Sequence, residues 1–285
     1  MLQELAQAGL MQGLVLSLVA LGVMIPFKIL NFPDLSCDGA YPLGGAITAS
    51  LLLSGISPLL ATTLAMILGG ILGLATAMIH LRFKVNTLLA GILVCTMIYS
   101  VNLRIMHKPN LALFDYQTLF TFLQDNLILT ASVLLVLCLS VILLLYRFLI
   151  SEKGLRLRAV GLNPGFAMRQ GIPLAPYIFL GLFLANALNG LAGSLMVQLQ
   201  HYADIGMGVG MVIHALAALM IGESLIGTQT LRRQLLAPFV GALIYQQIQG
   251  IAMSLGLAPT DLKLMTGAIV LVAIGLKLKN KRAHV

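Results

Sequence analysis

Apolar runs long enough to cross a bilayer recur along nearly the whole chain, separated by short polar breaks. The hydrocarbon core of a membrane is about 30 Å thick, and roughly 20 apolar residues wound as an α-helix span it. At that depth backbone N–H and C=O groups find no water, so a chain made of such runs folds as a bundle of helices. Composition agrees: 59% of residues are hydrophobic and only 9% charged, with a mean hydropathy of +1.01. A soluble globular domain, about a quarter charged, is excluded.

The sequence therefore predicts an all-α polytopic membrane protein, a single integral domain over 1–285 with eight or nine transmembrane helices. The expected spans lie near 10–30, 42–55, 58–80, 86–104, 126–150, 174–198, 207–226, 236–255 and 262–279. The second is short for a span, and the stretch 207–226 is rich in Gly and ends near Glu223. The opening MLQELAQAG lacks the basic segment of a cleaved signal, so the first run is expected to persist as a span.

Short loops rich in Lys and Arg stay on the cytoplasmic side of a membrane. Placing the C-terminus inside gathers Arg82, Lys84, Arg147, the basic residues of 151–173, Arg232, Arg233 and the terminal Lys and Arg residues there. Arg104, Lys108 and Lys263 fall outside, and Lys28 is ambiguous. Nine spans put the N-terminus outside; a re-entrant 31–55 puts it inside. The net charge of +8 is thus a topology signal distributed between apolar runs rather than a nucleic-acid face.

Several chemistries lack their residues. Cys37, Cys95 and Cys138 are odd in number and far apart, and the five histidines have no helical ligand spacing, so neither a disulfide framework nor a metal site is indicated. No HExxH or GxSxG occurs, which leaves a membrane-embedded hydrolase without a nucleophile and base. No G-x-x-x-x-G-K-[ST] occurs either, so any ATP that drives this chain, with its magnesium, is bound by another subunit. Tyr99, Asn102, Asn186, Asn189, Gln198 and Gln200 are polar residues of the spans and either line a path or bond between helices. Gly69, Gly70, Gly73, Gly190 and Gly193 read as close helix packing.

Two segments stand out. In Asn31-Phe32-Pro33-Asp34-Leu35-Ser36-Cys37-Asp38-Gly39, two carboxylates, a proline and a glycine interrupt an apolar stretch. Such a break at membrane depth is tolerated where it lines a cavity or is covered by protein, so a broken helix near 31–39 is a solute-path candidate. Asn31, Phe32, Asp34, Ser36, Asp38 and Tyr41 are its candidate residues, and Tyr99 and Asn102 are added from the fourth span. The competing readings are an ordinary loop at the membrane surface, or Asp34 capping the next helix. Tyr202-Ala203-Asp204-Ile205-Gly206 echoes Phe32 to Ser36, either by chance or as an inverted repeat.

The second segment is 151–173, SEKGLRLRAVGLNPGFAMRQGIP, expected as the longest loop on the cytoplasmic side. Asn163 is a good N-cap, Pro164 suits the first helical position, and Gly171 with Pro173 stops the helix, predicting two turns over 164–170. Flanked by Arg156, Arg158 and Arg169, this helix either docks another protein or meets lipid headgroups.

The stretches KILNFPDLSCDGAYPLGGAI, LLAGILVCTMIYSVNLRIMHKPN, GLRLRAVGLNPGFAMRQGI, MVQLQHYADIGMGVGMVIHALAALMIGE and LAPTDLKLMTGAIV together resemble ATP-binding cassette permeases. The type is the branched-chain amino-acid and ribose importer, and the likeness leans to the tryptophan/tyrosine permease subgroup. Cys37 and His201 depart from the usual pattern there. The resemblance implies a homodimer in the bacterial cytoplasmic membrane, with ATPase subunits below and a periplasmic or lipid-anchored solute-binding protein above, passing a small solute such as an amino acid. It also implies that Arg158, Gly161, Asn163, Pro164 and Gly171 couple to the ATPase, and Phe166 and Arg169, on the same two-turn helix, are expected to dock there with Asn163 and Pro164. The alternative within transport is an ion-coupled secondary carrier, for which Asp34 and Asp38 would supply the ion site.

Overall fold

A computed structural model describes residues 2–121 and 126–254, with 264, 266–268 and 271. The elements are α1 (Leu2–Met24), α2 (Cys37–Leu53), α3 (Pro58–Phe83), α4 (Thr87–Met106), β1 (Asn110–Ala112), α5 (Leu127–Ile150), α6 (Glu152–Leu162), α7 (Pro164–Arg169), α8 (Leu174–Gln200), β2 (Tyr202–Asp204), α9 (Met211–Ile226) and α10 (Leu231–Ser254). Among the described residues six helices are long and apolar enough to cross a membrane: Gln7–Ile29, Pro58–Phe83, Thr87–Met106, Leu127–Ile150, Leu174–Gln200 and Leu231–Ser254. The all-α membrane architecture expected from the apolar runs is the one observed. The two weak spans are the short ones, α2 with 17 residues and α9 with 16. The expected span 262–279 lies largely outside the described residues.

Chain punctuation sets the ends. Pro58 occupies the first turn of α3, and the Asn86 side chain accepts the Leu88 N–H at 3.0 Å to start α4. Lys84, His107 and His201 close α3, α4 and α8 in the left-handed conformation, at φ of 53°, 57° and 57°. β1 and β2 pair antiparallel, with Leu111 opposite Ala203.

The chain divides into two compact units. The first contains Met1–Ala20, Asn126–Tyr146 and Ile213–Val285. Within it Gly13 packs beside Leu243, Gly241 beside the Ala218 backbone, and the Ser17 hydroxyl donates to Leu14 O at 2.6 Å. Cys138 is buried there as a small residue, its thiol donating to Leu14 O at 3.3 Å.

The second unit contains Leu21–Asp125 and Arg147–Val212. Its core is α2, α3 and α8, which meet through glycines. A Cβ on Gly44 would come 2.8 Å from Gly190 Cα, one on Gly69 2.6 Å from Asn186 O, and one on Gly193 2.8 Å from Tyr41 C. Ordinary contacts between carbon atoms are about 3.5–4.0 Å, so side chains are barred and backbones touch. A polar seam crosses the same helices: Thr48 Oγ1 donates to Ser194 Oγ at 2.7 Å, and Gln198 Nε2 to Thr62 Oγ1 at 2.7 Å. Asn186, Asn189 and Gln198 are buried in α8.

The predicted break is shorter than expected. Helix α1 continues into a π-helical turn, Ile25–Ile29, then residues 30–36 are non-helical and α2 begins at Cys37, five residues before the expected 42. Cys37, Asp38 and Gly39 are therefore helical. The segment 151–173 is likewise more than a loop with one short helix. It holds α6, in which Gly154, Leu157, Val160 and Gly161 form a buried face at helical spacing.

Candidate functional site

Two places in the second unit carry the candidate residues. The first is the α6–α7 projection. Ser151 caps α6, its side chain accepting the Gly154 N–H, and Glu152 pairs with Arg156 along the exposed side. Asn163 Oδ1 accepts the Phe166 N–H at 3.0 Å, and Pro164 opens α7. Gly171, at φ 75°, ends it: the Gly171 N–H bonds Met168 O and the Ile172 N–H bonds Ala167 O, both at 3.0 Å, a Schellman closure. The helix ends at Arg169, one residue before the predicted 170. Ala167 is buried beneath it, while Leu162, Phe166 and Met168 are exposed.

Of the coupling candidates, Asn163, Pro164, Phe166, Arg169 and Gly171 are exposed and Arg158 is half-buried. Gly161 is buried for another reason. It lies on the Ile29 carbonyl, where a Cβ would come 2.7 Å from Leu30 Cα. The projection thus rests directly on the N-terminal edge of the helix break.

The break is held from inside. Asp34 Oδ1 accepts the Ser36 N–H at 2.8 Å, and Oδ2 accepts the Ser36 hydroxyl at 2.6 Å and Asn186 Nδ2 at 3.2 Å. Asn186 also donates to Ser36 Oγ at 2.9 Å and to Leu182 O at 3.2 Å. Gly91 of α4 lets that helix close on the turn, since a Cβ there would lie 2.7 Å from Leu35 N. Asp34 is therefore an Asx-turn residue two positions before the N-cap, Ser36, rather than the cap itself. Asp204 repeats the device, its Oδ1 accepting the Gly206 N–H at 2.6 Å. The two segments that echo each other in sequence share one local turn.

Asp38 does different work. Its carboxylate accepts the Val212 N–H at 2.9 Å and the Gly210 N–H at 3.2 Å, placing a negative charge at the start of α9. Four residues on, Pro42 has no N–H for the Asp38 carbonyl, and Gly208 lies over that carbonyl, its absent Cβ 2.8 Å from Pro42 Cγ. The Asp38 carboxylate thus tethers the end of the 205–210 loop and the start of α9, and Gly208 packs on the same residue's carbonyl.

That loop walls a cavity of about 220 Å³, lined by Asp38, Gly39, Pro42, Cys95, Ile98, Tyr99, Asn102, Ile205 and Val209. Of the eight path candidates, Asp38, Tyr99 and Asn102 meet here. Asn31, Phe32, Asp34, Ser36 and Tyr41 are not among the lining residues. Asn31 is exposed at φ 51°, Phe32 packs edge-on to His80 at 4.9 Å, and Tyr41 is buried. Ile205 and Val209 line the cavity without being among the path candidates, and Asn186, which the sequence left as either a path or a bonding residue, bonds to Asp34 and Ser36. Asn186 lies 152 positions from Asp34, a pairing no local motif announces.

The sequence profile described as "Branched-chain amino acid transport system / permease component" matches residues 5–275. The chain belongs to this permease family. It is 42% identical over 262 residues to the tyrosine transport system permease protein of Clostridioides difficile, covering 92% of this chain and 87% of that one. It is 33% identical over 268 residues to an uncharacterized protein of Rickettsia prowazekii, covering 92% and 94%. No solved structure matches the chain. The family match runs through both α6–α7 and the cavity, so this permease carries them within its family region. As a permease component of an amino-acid transport system, it is a multi-pass membrane protein.

Proposed function

We propose that this permease is the membrane subunit of an ATP-driven amino-acid importer, and that α7 is its docking point on a separate ATPase. The observation that carries the reading is the capped and closed helix Pro164–Arg169, which exposes Phe166 and Met168 while resting on Ala167. Two turns of helix are too short to persist in water unaided, so the Asn163 cap, the Gly171 closure and packing on α6 hold them in shape. A rigid apolar knob between basic residues suits a cleft in a soluble partner. In this reading the ATPase binds ATP and magnesium, the permease works as a homodimer in the bacterial cytoplasmic membrane with its C-terminus inside, and a solute-binding protein delivers the solute.

The relative named for tyrosine transport makes an aromatic amino acid the first solute to try. The path runs past the Asp38, Tyr99 and Asn102 cavity, with Asp34 and Ser36 holding the break that shapes it. The secondary-carrier alternative asks Asp34 and Asp38 to ligate an ion, whereas both already accept protein donors. The test is hydrolysis by purified components. The permease alone is expected to hydrolyse no ATP, with turnover appearing on co-expression of the cognate ATPase and rising with loaded binding protein. Turnover by the lone chain, or ion-driven uptake without ATP, would overturn the proposal.

A further inference from the structure

The cavity contains a group that a simple passage does not need. Asn102 is 1% exposed and lines the cavity, and neither its Nδ2 nor its Oδ1 has a hydrogen-bond partner among the described residues. A buried amide without partners destabilises the fold, and a leucine would fill similar space without that penalty. Asn189 Oδ1 also lacks a partner among the described residues, but it does not line the cavity, whereas the buried Asn186, Ser194 and Gln198 are bonded within α8 and its neighbours.

The remaining lining defines what could satisfy Asn102. Among the lining residues Asp38 carries the one formal charge, and it is already set against the Gly210 and Val212 N–H groups. None of the described lining residues is a cation, so a net anion finds no counter-charge among them. Ile98, Ile205, Val209 and Pro42 supply apolar wall, and the half-exposed Tyr99 ring stands beside them. The volume of about 220 Å³ falls below the roughly 300–1,000 Å³ typical of drug-sized ligands, which restricts the occupant to a small solute.

We propose that Asn102 is the selectivity-determining residue of a discrete solute subsite in this cavity, taking a small zwitterionic or neutral solute by one amide donor and one amide acceptor. The Nδ2 group donates to a carboxylate or carbonyl oxygen, and Oδ1 accepts from an ammonium or amine. The permease then discriminates among solutes itself, in addition to any selection upstream. This rests on the transport reading above.

The test uses the full transporter, with its ATPase and binding protein, in proteoliposomes given L-tyrosine, its decarboxylated cation tyramine, or the deaminated anion 3-(4-hydroxyphenyl)propanoate. Wild type and variants face the same binding protein, so a change in discrimination arises in the permease. Asn102→Leu is expected to lower L-tyrosine uptake about tenfold, equivalent to about 1.4 kcal/mol, while the melting temperature of the purified permease holds or rises. Asn102→Asp is expected to shift preference from L-tyrosine toward tyramine. Wild-type uptake and selectivity in Asn102→Leu overturn the subsite alone. A fall in melting temperature that accounts for the lost uptake overturns it too, making Asn102 a structural residue. Absence of ATP-dependent uptake in the wild type overturns the transport reading beneath it.

Discussion

Replacing Gly161 by alanine tests whether the α6–α7 projection bears on the helix break through a close backbone contact. The new methyl would lie 2.7 Å from Leu30 Cα and 2.8 Å from Ile29 C, and nearer still to the Ile29 carbonyl oxygen. Carbon contacts relax near about 3.5–4.0 Å, so α6 and the Ile29–Leu30 backbone must separate by roughly 1 Å. Neither can yield by a rotamer change, because every offended atom is main chain. Overpacking of this kind costs about 1–3 kcal/mol, and each kcal/mol moves Tm by roughly 2–4 °C in chains of about this size. Gly165 supplies the control: its nearest neighbour to an added Cβ is Asn163 Oδ1 at 3.5 Å, an ordinary contact. Gly165→Ala is therefore expected to leave Tm unchanged or raise it, helped by the better helix propensity of alanine. Thermal unfolding of both variants in one detergent, followed by transport per ATP hydrolysed in proteoliposomes, reads the two effects. Equal melting temperatures for Gly161→Ala and wild type would refute the contact, and with it the idea that α6 presses on the break.

Phe166→Asp places a charge on the exposed face of α7 and, if the proposed docking holds, is expected to abolish co-purification with a cognate ATPase without lowering the Tm of the isolated permease; retained complex and transport would remove α7 from the proposed interface. Asn163→Ala deletes the α7 cap, a loss of about 1 kcal/mol, and should weaken ATPase binding in pull-down assays while leaving the membrane fold intact. Asp34→Ala strips partners from the buried Ser36 N–H and from Asn186, at about 1–3 kcal/mol, so Tm should fall more than in Asp34→Asn. Uptake normalised to folded protein should be near wild type in Asp34→Asn, and its collapse there would restore a transport role for the charge. Asp38→Ala frees the Gly210 and Val212 N–H groups and is expected to increase labelling at an introduced Ile205→Cys; unchanged labelling would refute the tether.

Features written in consecutive residues were legible from sequence. Asn163, Pro164 and Gly171 announce α7 because capping and left-handed termination depend on one residue each, and the helix ends within a residue of its predicted limit. The break at 31–39 was visible for the same reason, although its far edge was misplaced, since the Asx turn that starts α2 early involves Asp34 and Ser36 rather than Gly39. Helix α6 was missed because Gly154 and Gly161 look like loop residues. They are packing residues, each facing a backbone that leaves no space for a Cβ. Pairings across the fold were invisible in principle: Asp34 with Asn186, Asp38 with Val212, and Asn102 with Val209 around one cavity. Nothing in the order of residues says which distant groups share a wall.

The glycine contacts among α2, α3 and α8 constrain motion as well as packing. Sliding α2 by one turn, about 5.4 Å, would bring Ala40 or Thr48 to the place where Gly44 meets the Gly190 backbone, and that contact leaves no space for a Cβ. A slide of that kind is blocked at this contact, so the three helices act as a fixed mast. A change of shape during a transport cycle must bend around them, and the π-helical turn at Ile25–Ile29, already wound away from the α-helical ladder and seated against Gly161, is where the backbone has slack to do so.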